Sequence, residues 1–158
     1  MVAFSAVNQQ TINPGESVIW TANVIPCAQG YVNALPETGD VELSGRLNYP
    51  YRVCKCQGGL YVAYLSDFGA NIAVPTGETV GEISVAFAVN GTTIPATTMR
   101  VTPAAVEQFF NVSREFPVRI LAGCCQTLSV RNTSAIPILM NDATLTIDRE
   151  GVVTGGRW

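Results

Sequence analysis

Twelve acids, five cysteines and no histidine set the chemistry open to this 158-residue chain. Serine- or cysteine-type nucleophilic catalysis needs a general base of suitable pKa, most often histidine, so the common hydrolase designs are excluded. A carboxylate pair is the one enzymatic route left. It would need two acids roughly 5–9.5 Å apart in a cleft, as in glycoside hydrolysis. Asp40, Asp67, Asp142 and Asp148 all sit beside turns or strand ends, where such residues usually cap turns or meet water. Asp40, Glu42 and Asp142 offer oxygen ligands, but no loop carries the dense alternation of acids that a calcium site uses.

The cysteines are Cys27, the Cys54-Lys55-Cys56 pair and the adjacent Cys124-Cys125. Structural zinc sites space their paired thiols by two to four residues, whereas these spacings place neighbouring thiols on opposite faces of a strand. A metal site would need four of Cys27, Cys54, Cys56, Cys124 and Cys125 to converge with no histidine to help. An odd count argues against a secreted disulfide framework. Small buried core residues are the expectation, with an interchain or late-forming disulfide as the second reading. No cofactor is expected, for Gly58-Gly59 and Gly155-Gly156 lack the spacing and following helix of a phosphate loop.

Only 13% of residues are charged while 47% are hydrophobic, about half the charge usual in a soluble domain. Surface so poor in charge is expected to be covered in part by other chains. With a net charge of −3 and nine basic residues scattered singly, there is no basic stripe for nucleic acid and no patch for an anionic membrane. No apolar run approaches the roughly 20 residues of a membrane-spanning helix. The opening Met1-Val2-Ala3-Phe4-Ser5 has neither the charged nor the apolar region of a secretion signal, so synthesis in a cytosol is expected.

The elements that must position these residues are strands. Glu82 to Val89 and Ala143 to Asp148 alternate with period two, and nothing settles into a long helical period. Expected strands are Phe4–Thr11, Ser17–Ile25, two short ones within Tyr31–Arg46, and Tyr51–Val74 broken near Gly58-Gly59 and Asp67-Phe68-Gly69. Gly81–Val89 follows, closed by the hairpin signal Asn90-Gly91. Then come Met99–Pro103, Phe116–Leu121, Thr127–Arg131, Ile136–Met140 and Ala143–Arg149, with a short helical turn over Pro103–Phe110. Roughly ten strands at this spacing predict an all-β, two-sheet jelly-roll (Greek-key) sandwich. One domain over residues 1–150 and a tail over 151–158 are expected.

Particular stretches resemble a known family. Val2-Ala3-Phe4-Ser5-Ala6 resembles the first strand of the complement-type globular head. Val118–Gly123, Leu128–Ser134 and Leu145–Arg149 are similar to the last strands of that head and of the tumour-necrosis-factor-like jelly roll. Tyr61–Tyr64 and Ile83–Gly91 are similar in kind to its central strands. The cysteine pairs are not hallmarks of that family, and its animal calcium and receptor contacts have no counterpart here. The resemblance implies a homotrimer packed around a three-fold axis, and phage and bacterial members serve as head decorations, fibre tips and spore-surface domains. Interface candidates are Phe4, Trp20, Phe109, Phe110, Val118, Ile120 and Ile147.

The leading expectation is therefore a non-enzymatic virion protein: a homotrimeric capsid decoration or head fibre on a phage exterior, made in the bacterial cytoplasm. Its partners would be itself, other virion proteins and, at its loops, a host-surface glycan, with no nucleic acid and no membrane. The alternatives are a bacterial surface or spore-coat module that recognises glycan or protein, and a carboxylate-type hydrolase.

Overall fold

Alternating β-branched residues put one face of each segment in water and one against a partner, and two sheets solve that for the whole chain. The computed structural model describes residues 1–27, 30–47 and 57–154. The first sheet contains β1 (Val2–Ala6), β2 (Gln10–Ile12), β3 (Ala22–Ile25), β6 (Gln57–Ala73), β10 (Phe110–Ala122) and β12 (Ile138–Thr154). Its order is β10-β6-β12-β1-β3, with β2 beside the start of β12. The second contains β4 (Val32–Ala34), β5 (Val41–Ser44), β7 (Ile83–Val89), β8 (Thr92–Thr93), β9 (Met99–Val101) and β11 (Cys125–Asn132). Its order is β4-β5-β11-β7-β8, with β9 also on β7. All pairings are antiparallel, and the two six-stranded sheets form the expected jelly-roll sandwich.

The core follows the inward parity of the long strands. Val62, Tyr64, Ser66, Phe68, Ala70 and Ile72 of β6 are fully buried, facing Val85 and Phe87 of β7 and Leu128 and Val130 of β11. Aromatic rings tie the layers together. Trp20 meets Phe68 edge-on at 6.4 Å, Phe68 meets Phe87 edge-on at 6.3 Å, and Phe87 stacks on Phe116 at 5.3 Å. Asn132 is a buried polar joint: its Nδ2 donates to the carbonyls of Ile12 and Ile136, each at 2.9 Å, and its Oδ1 accepts from the Ser134 amide at 2.8 Å.

Several expected boundaries are corrected by tertiary pairing. Asp67-Phe68-Gly69 does not break the chain, because β10 pairs on one side of it and β12 on the other. Ile138 to Thr154 is one strand with a bulge at Asn141/Thr144, so residues 151–154 of the expected tail belong to the sheet. The expected first strand splits into β1 and β2. Only Ala22–Ile25 of the segment from Ser17 is a strand of the first sheet, while the Val18 amide donates across to Val130 of the second. Pro103–Phe110 is irregular rather than helical, pinned by the Glu107 amide on the Val74 carbonyl at 2.8 Å. The Asn90-Gly91 hairpin is present, with φ of 49° and 79° as a type I′ turn requires.

Candidate functional site

Most of the residues expected at an interface serve the chain's own core. Phe4, Trp20, Val118, Ile120 and Ile147 are between 0% and 6% exposed, packed chiefly within the chain's own core. The correction has a simple cause: both sheets turn their largest side chains into the sandwich, and sequence alternation does not say which side lies outside. Phe109 is half-buried and Phe110 is 40% exposed at the start of β10.

The outer face of the β10-β6-β12-β1 sheet is where the chain meets its surroundings. Reading across the register, its rows are Asn111–Asn71–Asn141, then Ser113–Gly69–Thr144–Ser5, then Glu115–Asp67–Thr146–Ala3. Pro117–Leu65–Asp148, Arg119–Ala63–Gly151 and Leu121–Tyr61–Val153 follow. The middle rows mix small side chains with the exposed charges of Glu115, Asp67, Asp148 and Arg119. At one end the amides form a ladder: Asn111 Nδ2 donates to Asn71 Oδ1 at 3.2 Å, and Asn71 Nδ2 donates to Asp142 at 3.4 Å. The Oδ1 of Asn141 in the same row is buried without a donor.

Of the acids, Glu16 and Glu37 line one cavity of about 390 Å³ together with Arg131. Glu115 and Asp67 are direct cross-strand partners, but both are exposed on the open sheet face. Asp148 instead accepts the amino terminus of Met1 at 3.1 Å. Among the described residues, no group of three or more cysteine, aspartate or glutamate side chains is placed to hold a metal ion.

The cysteines depart from the core expectation. Cys124 is disulfide-bonded, while the adjacent Cys125 is not. Cys125 is exposed at the start of β11, and Cys27 is half-buried against the core. Cys54 and Cys56 lie outside the described residues.

Close to Cys27 the structure builds a cluster with no simple sequence signal. Arg149 stacks on the Tyr31 ring with Cζ 3.8 Å from its centroid, Arg46 sits at 5.0 Å, and Arg149 donates to the Arg46 carbonyl at 2.8 Å. A cavity of about 400 Å³ opens beside it, bounded by Tyr31, Cys27, Ile147 and Arg149 among others. Tyr64 lies beneath, fully buried, with its hydroxyl donating to the Ser44 carbonyl at 2.7 Å and so bridging the sheets. Burial pushes its pKa up to about 12, against the lowering pull of Arg149. Arg46, Tyr31 and Arg149 are far apart in sequence, so only the folded register brings them together.

No family model matches the chain, and no curated protein matches it. Among solved structures it is similar to an Eiger TNF from S. frugiperda, at 13% identity over 100% of this chain and 94% of that one, with a TM-score of 0.56. It is also similar to the globular domain of a zebrafish complement 1qA protein, at 8% identity over 94% and 95% of the two chains and a TM-score of 0.48. A family 35 carbohydrate binding module from an environmental isolate aligns over 100% of both chains at 17% identity and a TM-score of 0.35. The fold is a jelly roll like that of the Eiger TNF.

Proposed function

We propose that this chain is a non-enzymatic structural module that forms a homotrimer and stands on the exterior of a phage particle, as a capsid decoration or part of a head fibre. The observation that carries this reading is the outer face of the β10-β6-β12-β1 sheet. Strands of 13 and 17 residues, with β1 beside them, lay down a broad surface where Gly69 and Leu65 lie among Glu115, Asp67, Asp148 and Arg119, and where Ala3, Ser5 and Ala63 are nearly covered by their neighbours. Sheet faces of this breadth can serve as contacts between identical chains. This one suits packing against other copies of itself, and a second chain could supply the donor that Asn141 Oδ1 lacks. Sparse charge over the whole chain points the same way.

The test is mass in solution together with particle composition. Light scattering of the purified chain at micromolar concentration is expected to give three times the chain mass, and Leu65→Glu, which sets a third carboxylate beside Asp67 and Asp148, is expected to give a folded monomer. A wild-type monomer that is also missing from purified virions would sink the reading. Recovery from a bacterial spore or cell surface instead would favour a surface-binding module.

A further inference from the structure

The two sheets end side by side at one margin of the sandwich. There β3 pairs only with β1, and β4 pairs only with β5, so each is the last strand of its sheet. Between them runs a groove of about 370 Å³. Its walls carry Thr21, Asn23 and Asn33, and the core residues Phe4 and Trp20 form part of its lining. Among the described residues, none of those lining it is charged.

We propose that this groove binds a neutral saccharide of one or two rings. Three observations converge on that chemistry. The first is the orphan donor: Trp20 is 6% exposed, and its Nε1–H is buried without an acceptor. A buried indole N–H ordinarily finds a partner, and leaving one unmet costs about 1–3 kcal/mol. An acceptor seated at the inner end of the groove would satisfy it.

The second is the arrangement of the wall amides. Asn23 is assigned with its nitrogen toward the Ala3 and Ile25 carbonyls, at 3.3 and 3.0 Å, which leaves Oδ1 as an acceptor. Asn33 Nδ2 donates to Gly30 at 3.3 Å, which holds that amide and leaves its own oxygen and second hydrogen for a ligand. Thr21 Oγ1 donates to Ser5 at 3.3 Å and keeps its lone pairs. Paired acceptors and donors held by backbone contacts match sugar hydroxyls, which both give and take hydrogen bonds.

The third is size and charge. A volume near 370 Å³ lies at the low end of small-ligand sites, and the described lining, which holds no cation or anion, suits a neutral ligand better than an acidic sugar, phosphate or charged peptide. An added peptide strand would need a longer edge than the four residues of β3 or the three of β4. The groove does not include the sheet face assigned to assembly, so this inference stands or falls independently of the trimer.

The test uses the full chain in its native assembled state and a panel of neutral mono- and disaccharides, including galactose, N-acetylglucosamine and maltose, at millimolar concentration. The Trp20 indole N–H resonance is followed by NMR, with Trp158→Phe leaving Trp20 as the single indole. The expected result is a saturable shift with at least one neutral sugar. Asn33→Ala, an exposed change that leaves the core intact, should weaken that binding about tenfold or more, and Asn23→Ala should do the same. No shift with any sugar of the panel, a shift with sialic acid or a peptide alone, or full binding in both asparagine variants would overturn the proposal.

Discussion

Removing one hydroxyl should reverse the stability order of two proteins between neutral and alkaline pH. Tyr64 is fully buried, donates to the Ser44 carbonyl at 2.7 Å, and holds its proton to a pKa of about 12 because burial penalises tyrosinate. Arg149 opposes that penalty, and the neighbouring Cys27, Tyr31 and Cys125 add to it. In the unfolded chain the same hydroxyl ionises near 10. Below pH 10 both states keep the proton, and its contribution is fully present. Between 10 and 12 the unfolded state binds fewer protons than the folded one, so stability falls as pH rises, by about 1.4 kcal/mol per pH unit. The loss reaches about 2.3 kcal/mol at pH 12, or roughly 5–9 °C in Tm for a domain of this size. Tyr64→Phe removes the ionisation together with the hydrogen bond, which costs about 1 kcal/mol at pH 7. The variant should therefore be the less stable protein at neutral pH and the more stable one at pH 12, with the curves crossing near pH 11. Urea unfolding of both proteins at steps from pH 8 to 12 measures this, because every other alkaline titration cancels in the difference. A difference that stays flat over that range would refute the reasoning.

Other substitutions test the layers around that residue. Phe87→Ala removes the ring that stacks on Phe116 and meets Phe68, from a side chain that is fully buried, and should cost about 3–5 kcal/mol, read as a lower urea midpoint with unchanged slope. Asn132→Ala strands the Ile12 and Ile136 carbonyls and the Ser134 amide, and should cost about 3 kcal/mol or more. Asn132→Asp should fare no better at neutral pH, since it aims a carboxylate at those two carbonyls.

The architecture was legible in the sequence because alternation is a local property. Glu82–Val89 and the Asn90-Gly91 turn specify a strand and a type I′ hairpin without help from the rest of the chain. Boundaries were less legible where a local turn signal met a long-range partner. Asp67-Phe68-Gly69 carries turn residues, yet Phe68 is locked into the core and the backbone on both sides is already paired to β10 and β12. A glycine in the middle of that strand weakens it intrinsically, but two flanking ladders outweigh a preference of about 1 kcal/mol.

The site was less legible than the fold for a different physical reason. Parity along a strand sorts side chains into two faces, but both faces of β6 contain apolar residues: Val62, Tyr64 and Phe68 on one, Tyr61, Ala63 and Leu65 on the other. Size rather than hydrophobicity separates them. The inner face carries the large rings that span the gap between sheets, and the outer face carries small residues in its central rows. A core needs volume, whereas a face that meets a flat partner needs close approach. The interface candidates chosen for apolar bulk, Phe4, Trp20, Val118, Ile120 and Ile147, therefore fell inside the sandwich. On the outer face Gly69, Ala3, Ser5 and Ala63 are small enough that the last three are nearly covered by their own neighbours, so bulk alone could not have marked that face in the sequence.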